Sequence, residues 1–186
     1  MVGIIPLVTE PMDFRMDWHD SLMPIAPNYY AIERAVLECA YAGCKTIWIV
    51  ANDDATPLIR HRIGDYIQDP VWLKRKGRFP SNKRTLLPVF YVPIPPDDKN
   101  KEYCVSWTII KGASVAREVG GSLSKWLQPG LFYTAFPHSV YPADFLRPHR
   151  QDIIKKDNFF LSHSGKSVGT GNLLGFTFNS DQFDSI

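Results

Sequence analysis

The sequence predicts an α/β fold: three layers (α/β/α) around a mostly parallel central sheet. Three observations carry that expectation. First, a short apolar run (Ile4-Ile5-Pro6-Leu7), a long loop over about residues 8–28, a helix over about 29–42 and a second apolar run (Thr46-Ile47-Trp48-Ile49-Val50) follow one another. That order is a βαβ unit, whose parallel strands require a crossover helix on one sheet face. Second, further strand-like and helix-like segments alternate to the end of the chain. Third, 186 residues with 45% hydrophobic and 22% charged content are ordinary for one domain with a sizeable core.

The opening helix shows Ile32, Ala35, Val36, Cys39 and Ala40 at helical spacing as its buried stripe, with Glu33, Arg34 and Glu38 mostly off it. Asn28 is a plausible N-cap and Gly43 a C-terminal stop. Thr46 to Val50 is continuously apolar, as a central parallel strand should be. Asp54-Ala55-Thr56-Pro57 makes a good helix start, and capping is the favoured role of Asp54. Asn52 and Asp53, polar groups at a strand's carboxyl end, stay open between capping and a site. The second helix is expected over 56–67, with His61 on its solvated side.

A third strand is expected over 86–92, where Pro88 must sit at the start or at an edge because a central strand needs every backbone N–H. A helix follows over 106–119, ended by Gly120-Gly121, and residues 122–127 read as a short amphipathic piece. Gly112 in mid-helix marks close backbone approach to a strand or to a ligand. Strands over 131–136, 159–162 and 173–178 complete the pattern, with a turn and short helix over 141–150 and a turn at His163-Ser164-Gly165-Lys166.

Composition excludes some functions. No apolar run approaches the roughly 20 residues of a membrane span. Met1-Val2-Gly3-Ile4 lacks the positive segment of a signal peptide, so a soluble cytoplasmic chain is the expectation. Cys39, Cys44 and Cys104 form no CxxC pair and read as core or near-core residues. A net charge of +2 leaves any anionic partner to local clusters. The one such cluster, Lys74-Arg75-Lys76-Gly77-Arg78 with Lys83-Arg84, could contact phosphates or nucleic acid, but charge runs are more often solvated loops. Gly165-Lys166-Ser167 lacks the earlier glycine of a P-loop, since Phe160 holds that position. The histidines (His19, His61, His138, His149, His163) show no zinc spacing, and there is no GxSxG elbow.

In a βαβ unit ligands sit outside the carboxyl ends of the strands, and the loop after Leu7 lies there. It is far longer than the connection requires, which points to a loop covering a nucleotide-type ligand. The segments Ile4-Ile5-Pro6-Leu7, Arg15-Met16 and Leu22-Met23-Pro24-Ile25 resemble the start of the sugar-phosphate nucleotidyltransferases, the nucleotide-diphospho-sugar transferase (Rossmann-like) fold. Ile32-Glu33-Arg34-Ala35, Ala42-Gly43 and Ile47-Trp48-Ile49-Val50 continue the resemblance, and Lys111-Gly112-Ala113-Ser114 looks like the family's base-contacting helix segment. The similarity covers most of the chain and is specific over the first third.

The resemblance implies transfer of a nucleotidyl group from an NTP to a sugar phosphate, with Mg²⁺ as a possible cofactor. It implies Arg15 and Asp20 as catalytic residues. Leu7, Val8, Thr9, Arg15, Asn52, Asp53, Gly112 and Ala113 would bind the nucleotide, and Asp53 or His138 would serve the metal. The chain departs from the family at Val8-Thr9-Glu10-Pro11, where glycines are expected. It departs again at His19-Asp20-Ser21, where a lysine is expected, and at Pro137-His138, where Gly-Asp is expected. The family also continues past the point where this chain ends. A nucleotide- or nucleotide-sugar-binding protein without catalysis is the alternative reading, and a nucleic-acid contact through the basic loop a third.

Overall fold

The computed structural model describes residues 1–7, 18–73, 85–101, 104–123, 128–155 and 158–185. In chain order the strands are β1 (Val2–Pro6), β2 (Pro24–Ala26), β3 (Tyr29–Tyr30), β4 (Thr46–Ala51), β5 (Tyr66–Gln68), β6 (Leu86–Pro93), β7 (Leu131–Thr134) and β8 (Phe176–Asn179). The helices are α1 (Ala31–Ala42), α2 (Thr56–Ile63), α3 (Pro70–Leu73), α4 (Val105–Leu123) and α5 (Arg150–Lys155).

Six strands form one sheet in the order β5-β6-β4-β1-β7-β8. The inner four are parallel, and β5 and β8 pair antiparallel at the edges. From β1 the chain steps outward through α1 to β4 and on to β6. It then crosses back through α4 and places β7 on the other side of β1. The order therefore reverses between β1 and β7, which is the crevice where open α/β sheets bind ligands.

Side chains alternate between the two sheet faces. Ile5, Ile47, Ile49 and Tyr133 pack with Ile32, Ala35, Val36 and Cys39 of α1. Ile4, Trp48, Val50, Val92 and Phe132 pack with Ala113 and Ala116 of α4. The result is the expected α/β/α layering. No helix among the described residues is long and apolar enough to cross a membrane.

Several local expectations need correction. Helix α1 begins at Ala31, and the Tyr30 N–H is taken by the Glu33 carboxylate at 2.9 Å. Asn28 instead turns the chain between β2 and β3 with φ 54°. Arg34 and Glu38, expected off the buried stripe, are both buried. Helix α2 stops at Ile63 because Gly64 adopts φ 80°, and Tyr66–Gln68 then pairs as an edge strand. Helix α4 runs through Gly120-Gly121 to Leu123. The strand expected over 159–162 reduces to a bridge between Phe160 and Phe176, and β8 starts at Phe176 rather than Leu173. Cys39 and Cys44 are buried as expected, but Cys104 is exposed. Pro88 precedes the parallel ladder with β4, which begins at Val89, so it costs that ladder no donor.

Candidate functional site

The carboxyl ends of the parallel strands are held in register beyond the sheet itself. Leu7 N–H bonds Val50 O at 2.9 Å, Ile94 N–H bonds Ala51 O at 3.1 Å, and Ala135 N–H bonds Ile4 O at 3.0 Å. Past β7 the chain stays buried through Ala135 and Phe136, then emerges at His138 and Ser139. There it forms one wall of a cleft of about 330 Å³ whose other lining residues are His163, Lys166, Gly171, Asn172, Leu173 and Leu174.

The second wall is built by two tight turns. His163 and Lys166 exchange backbone hydrogen bonds at 3.0 and 2.9 Å, while Ser164 (φ 51°) and Gly165 (φ 76°) fill the two left-handed positions of the turn. That geometry delivers the His163 and Lys166 side chains from neighbouring strand-like positions. A 3₁₀ turn over Val168–Thr170 ends at Gly171 in the left-handed conformation, and Asn172 N–H closes it on Ser167 O at 3.0 Å. The Ser139 hydroxyl donates to the Leu173 carbonyl and ties the two walls together.

The lining includes one lysine and two imidazoles, and no carboxylate among the described residues. His138 Nδ1 is buried with no hydrogen-bond partner among them. Buried polar atoms are ordinarily paired, so this nitrogen is an exception within the cleft wall. A lysine and two imidazoles beside an amide and open backbone suit a phosphate ester carrying hydroxyl groups.

The residues singled out in the sequence are dispersed. Val8, Thr9 and Arg15, and the basic run Lys74 to Arg84, lie outside the described residues. Leu7 is buried at the end of β1. Asp20 opens a 3₁₀ turn over Asp20–Leu22, and its carbonyl accepts the Met23 N–H at 2.9 Å. Asn52 follows β4, and its side-chain oxygen accepts the Ala55 N–H at 2.9 Å. The lead into α2 is thus closed by Asn52, where Asp54 was expected to cap. Asp53 and Asp54 are exposed. Gly112 lies against β1 and β4: a Cβ there would sit 2.6 Å from Val50 Cγ2 and 3.1 Å from Ile4 Cγ2. The strand is therefore the close neighbour of Gly112, and Ala113 beside it is fully buried. Of these residues His138 lines the cleft. His163, Lys166 and Asn172 were missed. The available signal was the left-handed turn Ser164-Gly165 flanked by two potential cations.

The lining of this cleft holds no carboxylate oxygen for a Mg²⁺ ion among the described residues, and Asp53, the other candidate, lies outside that lining. Magnesium takes oxygen ligands, and His138 offers nitrogen at the end of β7. No group of three His, Cys, Asp or Glu side chains converges among the described residues.

Comparison with solved structures shows that this mostly parallel six-stranded α/β/α arrangement is a nucleotide-diphospho-sugar transferase-like fold. The chain is similar to a protein assigned as a glucose-1-phosphate thymidylyltransferase of Bacillus anthracis, solved with sucrose (TM-score 0.58, 10% identity, 99% of this chain and 74% of that one). It is also similar to a UDP-glucose pyrophosphorylase complexed with UDP-glucose (TM-score 0.54, 12% identity, 98% and 77%). A Mycobacterium tuberculosis H37Rv protein matches at TM-score 0.50 and 12% identity, over 99% of this chain and 73% of that one. No protein-family model and no curated protein matches the sequence.

Proposed function

We propose that the chain binds a sugar phosphate in the cleft beside β7 and a nucleotide at the neighbouring carboxyl ends of β1 and β4, and that it transfers the nucleotidyl group between them. The supporting observation is the cleft itself: it opens where the chain leaves β7, one of the two strands at the order reversal, and presents His138, His163 and Lys166 with no carboxylate in its lining among the described residues. In the transfer a sugar-phosphate oxygen forms a bond to the α-phosphorus of an NTP, and the bond to pyrophosphate breaks. Such chemistry depends on positioning and on neutralising phosphate charge. Lys166 and the two imidazoles serve the sugar phosphate in this reading. Arg15, with the backbone of Leu7, Val8 and Thr9, serves the nucleotide on the strength of the family resemblance, and the same resemblance assigns Asp20, Asn52 and Asp53 to that end of the site.

Titration calorimetry with glucose-1-phosphate, UDP-glucose and a panel of NTPs, with and without Mg²⁺, tests binding, and pyrophosphate release tests turnover. Binding together with release is the expected result. Failure to bind any of these compounds overturns the proposal. A second reading, binding without transfer, is favoured by His138 standing where the resembled enzymes carry Gly-Asp. Binding with no pyrophosphate from any NTP and sugar-phosphate pair would select it.

A further inference from the structure

Beneath the cleft lies a buried polar network that the binding reading does not use. Arg34 of α1 donates to Glu38 Oε2 at 2.7 Å and also to the Phe136 carbonyl. The other Glu38 oxygen accepts the Tyr133 hydroxyl at 2.7 Å. The Arg34 guanidinium stacks over the Tyr141 ring, 4.8 Å from its centroid. Gly175 presses against the same groups: a Cβ there would lie 2.4 Å from the Tyr133 hydroxyl and 2.5 Å from Glu38 Oε1.

These contacts bracket both walls. Phe136 and Tyr141 flank His138-Ser139, and Gly175 directly follows Asn172-Leu173-Leu174. We propose that Arg34, Glu38 and Tyr133 are positioning residues that fix the spacing of the two cleft walls from inside the protein; the consequence for ligand binding rests on the function proposed above. Stability gives a weak reason for such a pair, because well-packed apolar side chains of similar volume generally do as well or better. Directional donors are a stronger one. Apolar packing would fill the same space, but it would not hold a carbonyl two residues before His138 or a hydroxyl against the backbone at Gly175.

The test uses the full chain with two variants, Arg34→Met/Glu38→Leu, which keeps volume and removes both charges, and Tyr133→Phe, which keeps the ion pair. Hydrogen exchange read by mass spectrometry needs no ligand. Peptides over 136–141 and 171–175 are expected to exchange at least about ten-fold faster in both variants, while the peptide over β4 is unchanged. The dissociation constant for glucose-1-phosphate, measured in parallel, is expected to rise about ten-fold or more. Wild-type protection of both walls in a folded variant overturns the inference. Should the double variant fail to fold, Tyr133→Phe decides by the same readout. Should the wild type not bind glucose-1-phosphate, the proposed function falls while the exchange result still decides the positioning role.

Discussion

Arg34 and Glu38, one turn apart on α1, form an ion pair at 2.7 Å with side chains only 1% and 0% exposed. Burial disfavours charge on Arg34, but Glu38 outweighs it, so the guanidinium holds its proton more tightly than usual. Glu38→Leu alone strands that cation and is expected to cost about 3–5 kcal/mol. Arg34→Met/Glu38→Leu should recover most of the loss. Urea denaturation of the three proteins checks this, and a double variant as weak as the single one would contradict it.

Two glycines of α4 should respond to alanine in opposite directions. Replacing either gains about 1 kcal/mol of helix propensity. At Gly112 the new methyl would collide with Val50 and Ile4, two buried strand side chains. The overpacking cost of about 1–3 kcal/mol should cancel or exceed the gain, so G112A destabilises or is at best neutral. At Gly121 the nearest atom is the mobile amide of Gln128 at 3.0 Å, so G121A should stabilise. Thermal melts of the two variants give the comparison.

Asn52 and Asp54 separate in the same way. Asn52 accepts the Ala55 N–H, and its carbonyl takes the Thr56 hydroxyl at 2.7 Å. Asn52→Ala should therefore cost about 1 kcal/mol. Asp54 is exposed, and Asp54→Ala should stay within about 0.5 kcal/mol of wild type.

What the sequence made legible was the scaffold. Period and composition are sufficient where a segment buries one face, as in the Ile4 to Leu7 run, the α1 stripe and the Thr46 to Val50 strand. Arg34 and Glu38 could not be read, because a charge within a helix pattern looks solvated until a tertiary partner is known, and Phe136 and Tyr133 are about a hundred residues away. Of the cleft, only His138 was singled out in the sequence, through the resemblance and as a metal candidate, whereas His163, Lys166 and Asn172 reach it through turns whose direction local pattern does not encode. The strand expected over 159–162 shortens to a single bridge: it pairs with the start of β8 only through Thr177 N–H to Phe159 O and Leu161 N–H to Gly175 O, both at 2.8 Å.

Alkaline pH should weaken the fold from about pH 10 upward. Tyr133 is buried and its hydroxyl pKa is driven well up, first by burial and then by the Glu38 carboxylate. Tyr91 is pushed up to about 12, first by burial and then by Asp65, while its hydroxyl donates to Gly64 O at 2.7 Å. A raised folded pKa gives stability that is complete below the unfolded value, near 10, and lost as pH rises toward the folded value. For Tyr133 the slope in that window is about 1.4 kcal/mol per pH unit. Melting temperature against pH, with Tyr133→Phe as the comparison, reads the slope. The variant should lose less stability than wild type between pH 10 and 12.

Lys166 offers the most direct test of the cleft. It lines the cavity on the exposed side of the Ser164-Gly165 turn, so its replacement removes charge without opening the core. Lys166→Gln keeps the length and polarity of the side chain and should leave the melting temperature unchanged. A charge-assisted contact to a phosphate oxygen, partly screened by solvent, is worth about 1.4 kcal/mol, or roughly ten-fold in affinity. Screening also predicts that the wild-type advantage shrinks as salt is raised. Lys45 is the matched control: it is exposed too, but it precedes β4 at the opposite end of the sheet. Calorimetric titration of glucose-1-phosphate should show weakened binding for Lys166→Gln and wild-type binding for Lys45→Gln. Equal affinities in all three proteins would place the phosphate elsewhere and remove the cleft from the binding site.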